Sequence, residues 1–294
     1  MTDRTLVRQC NFPPPDTAVA LAVSGGPDSM GLLLLALEAG LDVSVHHVDH
    51  HARPTSGDDA AFVASFCSRH ALPFVRHDVL VESGPNFEQR ARQARRQAMP
   101  HGVLTGHTMD DLVETMVLNL LRGTGADGVS AMIGDPSKPL LAIRRTALHD
   151  YVQAAGVEAR QDETNLDPHF RRNRVRHELL PLMNDIVDRD VTPLLARFGQ
   201  LMTEEQSWLA SLRSDDENLR LSDADCRDLR EWPVPRLRRW LRDHLSSLGA
   251  YGDTYAPSAA EIDRAVDVVR GDVVACELSG GRRLARKDQR LTLE

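Results

Sequence analysis

Lysine is almost absent from this 294-residue chain. Lys138 and Lys287 are its only two, so nearly all of its 35 positive charges are guanidinium groups. Arginine offers a planar fork that grips carboxylate or phosphate at two points, which an ammonium group cannot do. Cysteine is scarce as well. Cys10, Cys67, Cys226 and Cys276 stand far apart with no CxxC spacing, so neither a disulfide framework nor a cysteine-based zinc or iron–sulfur site is indicated. Long apolar runs are missing too: the longest, residues 30–37, is too short and too glycine-flanked to span a bilayer. The opening stretch MTDRTLVRQCNFPPPD lacks a basic-then-apolar signal pattern, which predicts a cytoplasmic chain with no membrane attachment. A net charge of −8 argues mildly against a nucleic-acid partner. Charge is uneven, however, and residues 160–176 hold five arginines, four of them within six residues.

What is present is a substantial core, with 41% apolar residues and room for one large domain and a smaller one. Short β-like runs at 18–23, 42–48, 74–79 and 103–106 alternate with helical spacings at 30–38, 57–70 and 86–99. Such alternation predicts an α/β fold on a doubly wound, mostly parallel sheet, with ligands beyond the carboxyl ends of its strands. After about residue 181 the pattern turns helical, over 194–212, 236–245 and a helix opened by Pro257-Ser258. The tail reads as short strands with a turn at Gly280-Gly281. We therefore expect domains at 1–198 and 199–294, the second helical and ending in a small β unit.

The stretch LAVSGGPDSMGLLLL places a break between a strand and a helix. Gly25 and Gly26 let backbone approach a phosphate, and the helix start aims free N–H groups at the same spot. Ser24 and Ser29 add hydroxyls. Asp28 would repel a phosphate unless a cation intervenes, and Mg²⁺ fits that position. The competing reading is a plain turn with Asp28 as a helix cap. The loop lacks the lysine of GxxxxGK[ST], and it is not GxGxxG.

In GHTMDDLVETMVLNLLRG, a helix starting near His107 puts His107, Asp110, Asp111 and Glu114 on one face, while Leu112, Met116, Val117 and Leu120 pack elsewhere. Clustered acids repel, so a positive group should lie opposite; the plainer alternative is a solvated acidic first turn. Farther on, Arg171, Arg174 and Glu178 fall along one helical face, and Arg172, Arg176 and His177 along another. A helix basic on two sides suits a phosphate clamp better than a core. Arg92 and Arg96 share a second basic stripe, either solvent-facing or in contact with RNA or a nucleotide. In HHVDHHAR, alternation puts His47 and Asp49 on one face and His46, Val48 and His50 on the other, which splits any zinc ligand set.

SGGPDS resembles the SGGxDS signature of the PP-loop, or N-type, ATP pyrophosphatases. Within that superfamily, HHVDHHARPTSGDDAAFVASFC, NFEQRARQARRQAM, LTGHTMDDLVETMVLNLLRGTG, KPLLAIRR and DETNLDPHFRRNRVRHELLPLM are similar, in order, to the tRNA(Ile)-lysidine synthetase family. The resemblance implies an adenine nucleotide alpha hydrolase-like fold and a ligase that adenylates cytidine 34 in the CAU anticodon of tRNA(Ile). Free L-lysine then attacks C2, with release of AMP and pyrophosphate. It also implies ATP contacts from Ser24, Gly25, Gly26, Pro27, Asp28, Ser29, Asp49 and His107, with Mg²⁺ on Asp28. Lysine would meet Asp110, Asp111 and Glu114, and tRNA would meet Arg92, Arg96, Arg171, Arg172, Arg174 and Arg176. Catalytic roles are expected for Asp28, Asp110, Asp111 and Arg174, in a monomer or homodimer. A tRNA thiolase, an amide-forming synthetase and a nucleotide-binding module without turnover are the competing functions.

Overall fold

The computed structural model describes residues 6–49, 56–79, 94, 97–130, 132–160, 170–212, 219–248, 254–255 and 257–294. Strand β1 (Ala18–Ala22), helix α1 (Pro27–Glu38), β2 (Asp42–Asp49), α2 (Ser56–Arg69) and β3 (Phe74–Asp78) follow one another along the chain. The strands are parallel in the order β1-β2-β3, with Ala18 opposite Asp42 and Val45 opposite Phe74. Leu104 pairs with Leu21 on the other edge of β1. The strand expected at 103–106 is thus a single bridge, because the Thr105 N–H already turns away to the Ser137 carbonyl.

The chain therefore builds outward from β1 in one direction and then returns to its opposite edge. Reversals of this kind leave a crevice at the carboxyl ends of the two strands involved. In β2 the adjacent residues Val45 and His46 are both buried, so both faces of the sheet are covered at that point. The core comprises Leu21, Val23, Leu33, Leu35, Val43, Val45, Phe66, Leu104, Leu140 and Leu148.

Helix α3 (Met109–Leu121) begins two residues later than expected. Leu112, Met116 and Val117 pack inward as predicted, whereas Leu120, in the last turn before Gly123, is 45% exposed. Helix α4 spans Arg145–Ala154. Helix α5 (Arg171–Arg174) runs through a π-helical turn (Val175–Leu179) into α6 (Leu180–Val187). Val113 and Val117 of α3 share a small core with Val175 and Leu180. That contact brings the arginines of α5 to the acids of α3. Helix α7 is Thr192–Ser211, and the helix expected over 86–99 lies almost wholly outside the described residues.

Two compact units result: Met1–Asn119 with Val129–Met202, and Leu120–Gly128 with Thr203–Glu294. The second unit packs α8 (Cys226–Arg230), α9 (Val234–Leu245) and α10 (Ala259–Arg270) with an antiparallel sheet of β4 (Ala275–Leu278), β5 (Arg282–Lys287) and β6 (Arg290–Leu293). Ser258 and Glu261 cap α10 reciprocally, and Gly280 and Gly281 take positive φ in the turn before β5.

Candidate active site

Residues 24–29 leave the end of β1 and enter α1 through Gly26 and Pro27. Gly25 has φ +92°, a conformation few other residues hold. The Ser29 hydroxyl donates to the Gly26 carbonyl at 2.9 Å and accepts from the Ser24 N–H at 3.1 Å. The two serine hydroxyls lie 3.2 Å apart. Among the described residues no side chain caps α1, so Asp28 is not the helix cap of the plainer reading. Pro27, at the first helical position, has no N–H to satisfy. The loop leaving Leu104 presses against this turn: a Cβ on Gly106 would stand 2.6 Å from the Asp28 carbonyl oxygen. Two loops thus meet beyond the carboxyl end of β1, where the strand order reverses.

Asp28 does not stand alone. Its Oδ1 accepts from His149 Nε2 at 2.8 Å, and its Oδ2 lies 3.6 Å from Arg145 Nε. Arg145 and His149 are one turn apart on α4, and neither figured among the expected site residues. Arg145 also donates to Glu114 Oε1 at 3.0 Å and to Asp111 Oδ1 at 2.9 Å. From α5 and the π-turn, Arg172 Nε reaches Glu114 Oε2 at 2.7 Å and Arg176 Nε reaches Glu114 Oε1 at 2.6 Å. Arg172 also donates to Asp111 Oδ1 at 2.9 Å. Three carboxylates therefore face three guanidiniums.

The positive charge that the acidic face calls for is thus supplied by the chain's own arginines. Burial pushes the Glu114 carboxyl up, but its hydrogen bond from Arg176 and the charges of Arg145 and Arg172 hold it below the ordinary range. Burial likewise pushes Asp111 up, and Arg145, Arg172 and the Thr108 N–H outweigh it. Arg145 is displaced upward: burial opposes its charge, and Asp111, Glu114 and Asp28 more than restore it. Asp111 and Glu114 are thus held as anions by the arginines around them.

Asp110 points to a different partner set. It accepts from Arg144 Nη2 at 3.1 Å and from the Arg145 backbone N–H at 2.7 Å, while Arg144 also binds Asp190. Thr108, fully buried, donates from its N–H and hydroxyl to Asp111 Oδ2 at 2.8 and 2.9 Å. His107 stands before α3, its Nδ1 2.8 Å from the Thr105 hydroxyl. At the end of β2, buried Asp49 accepts from Arg76 at 3.0 Å, and His47 bonds the Val23 carbonyl next to the loop. Arg174 stays outside the cluster, exposed and paired with Glu178 at 2.7 Å, and Arg171 is exposed beside it. Arg92 and Arg96 lie outside the described residues.

No three His, Cys, Asp or Glu side chains converge on a cation position among the described residues. The partly exposed Asp28 carboxylate, with Oδ2 not hydrogen-bonded among the described residues, still fits Mg²⁺, which keeps water and phosphate oxygens as most of its ligands.

Residues 3–183 match the PP-loop domain family, so the loop, crevice and sheet belong to a PP-loop protein. Similar curated proteins include the tRNA(Ile)-lysidine synthase of Nocardia farcinica, 35% identical and covering 96% of this chain and 93% of that one. Those of Thermus thermophilus (37%, covering 80% and 50%) and Gloeobacter violaceus (36%, covering 68% and 67%) are similar too. The chain belongs to the tRNA(Ile)-lysidine synthase family. It spans about half the length of the Thermus relative. A solved U34-tRNA thiolase NcsA from Methanococcus maripaludis, with its 4Fe–4S cluster, shares the fold at TM-score 0.55 and 14% identity, over 68% of this chain and 78% of that one.

Proposed function

We propose that this chain ligates free L-lysine to C2 of cytidine 34 in the CAU anticodon of tRNA(Ile), consuming ATP and changing codon recognition from AUG to AUA. The observation that carries this reading is Arg145, which meets both Asp28 of the phosphate loop and the acids Asp111 and Glu114. A nucleotide site and an acceptor site share one guanidinium.

ATP would lie on Ser24, Gly25, Gly26, Pro27, Asp28 and Ser29, flanked by His107 and Asp49, with its α-phosphorus open to the cytidine oxygen. Asp28 would hold Mg²⁺, which when bound neutralises charge on the departing pyrophosphate. The cytidine O2 attacks the α-phosphorus and pyrophosphate leaves. The deprotonated side-chain amine of lysine then attacks C2; the C2–N bond forms, the amine gives up a proton, and the C2–O2 bond breaks as AMP leaves carrying O2. Orienting these partners supplies much of the rate.

Lysine's ammonium is assigned to the face of Asp110, Asp111 and Glu114. Because arginines already match those charges, an incoming ammonium requires a guanidinium to turn elsewhere. Arg172 and Arg176 are placed for that exchange, on a helical run whose other side carries exposed Arg171 and Arg174. RNA phosphates would draw them, so lysine binding is expected to follow tRNA binding. Arg92 and Arg96 are assigned to tRNA as well. An anticodon loop is single-stranded, so exposing its base costs little. We assign residues 1–198 to catalysis and 199–294 to substrate and tRNA binding, in a cytoplasmic monomer or homodimer. Among the described residues no helix is long and apolar enough to cross a membrane.

The test supplies ATP, Mg²⁺, lysine and a tRNA(Ile) transcript with a CAU anticodon. AMP release should require both tRNA and lysine, and cytidine 34 should gain the mass of lysine less one water, because its O2 departs on AMP. Equal AMP release without lysine, or with sulfide in its place, would overturn the reading.

A further inference from the structure

Gly31 lies in α1 one turn after Asp28, and a Cβ there would meet Leu148 Cδ1 at 2.5 Å. The missing side chain lets Leu148 of α4 seat directly on α1. That close approach brings the next residue, His149, to the Asp28 carboxylate, with Nε2 2.8 Å from Oδ1. An ionised carboxylate only accepts, so the imidazole must carry its proton on Nε2 and donate it. The other oxygen, Oδ2, has Arg145 Nε at 3.6 Å, beyond hydrogen-bond reach. That Nε is buried and has no hydrogen-bond partner among the described residues, while the Nη atoms of Arg145 are anchored on Glu114 and Asp111. Asp28 Oδ1 is therefore occupied, and Oδ2 is the oxygen with capacity left.

We propose that His149 is a positioning residue that fixes the Asp28 carboxylate so that Oδ2 faces the Mg²⁺–nucleotide. This rests on the reading of Asp28 as the cation contact. Ligating carboxylates are held by hydrogen bonds from an outer layer of residues, and removing such a partner costs roughly 10–100-fold in metal affinity. His149 does this through a donated hydrogen bond, so a side chain with an amide N–H of similar reach substitutes for it and an alkyl group does not. His149 is partly exposed, with 39% of its side chain open to solvent, so replacing it leaves the core intact.

The experiment measures binding of a non-hydrolysable ATP analogue to the full chain, in Mg²⁺ and in EDTA, for the wild type, His149→Ala and His149→Gln. His149→Ala should weaken binding in Mg²⁺ by roughly tenfold, leave binding in EDTA unchanged and keep the wild-type Tm. His149→Gln should recover most of the loss. Wild-type binding by His149→Ala in Mg²⁺, an equal loss in Mg²⁺ and EDTA, or a glutamine variant as weak as alanine would each overturn the proposal while the Asp28 reading stands. If Mg²⁺ gives the wild type no advantage, or Asp28→Asn keeps that advantage, the Asp28 reading fails and the proposal fails with it.

Discussion

Arg176 and Glu114, sixty-two positions apart in the chain, meet through two hydrogen bonds of 2.6 and 3.0 Å, with only 1% of the Glu114 side chain open to solvent. Arg145 and Arg172 complete the enclosure. A buried carboxylate in such company is costly to remove singly, because its partners stay behind uncompensated.

Glu114→Gln should therefore destabilise the fold by about 3–5 kcal/mol, as read from urea unfolding. A loss below about 1 kcal/mol would place Glu114 among ordinary surface pairs.

Two pH steps are expected. Asp111 and Glu114 titrate below their unfolded values of about 3.9 and 4.3. Their stabilisation is complete above that range and is lost only as pH falls through the depressed folded values. His46, whose ring nitrogen lies 2.9 Å from His77, is lowered by burial and by His77. Its contribution is intact above about pH 6.5 and declines below it. Stability measured against pH should show a shallow loss starting near 6.5 that His46→Gln removes, and a separate acid loss that it leaves in place. An unchanged profile in His46→Gln would contradict this.

Gly106→Ala tests the meeting of the two loops. The new Cβ would press on backbone, with the Asp28 carbonyl oxygen at 2.6 Å and its carbon at 2.9 Å, and neither can swing aside. We expect a loss of about 1–3 kcal/mol in stability, and ATP affinity falling further than stability alone explains. Wild-type nucleotide affinity would show that the loops can separate harmlessly.

Arg174→Ala should leave Tm unchanged, since its pair with Glu178 is exposed. Affinity for tRNA should fall, and the slope of log affinity against log salt should shrink by about one. Arg172→Ala, by contrast, should lower Tm, because Arg172 helps to enclose Glu114. Equal effects of the two substitutions on Tm would contradict their separation onto two faces.

The strand–loop–helix break at residues 24–29 and the pairing of Asp111 with Glu114 were legible because each depends on near neighbours: a strand, a glycine pair and a helix start in one case, a period of 3.6 in the other; Asp110, expected on the same face, turns instead to Arg144. The split of Arg171 and Arg174 from Arg172 and Arg176 followed from the same period. What local pattern could not supply was the partner. Arg145 reaches Glu114 across 31 positions and His149 reaches Asp28 across 121, distances that no spacing rule encodes. Arg144 and Arg145 stood in plain view in KPLLAIRR without a role, and no local pattern marked Thr108, which is buried and holds Asp111. The strand expected at 103–106 failed for a related reason: its β propensity was real, but Thr105 found its hydrogen bond elsewhere.

The sharing of Glu114 among three arginines also bears on how this protein can change over generations. Replacing one member strands a charge among the others, so substitutions here should be tolerated in matched acid–base pairs and rejected one by one. The cluster should behave as a single heritable unit, with Arg145 tying the fate of the phosphate loop to that of the acidic face.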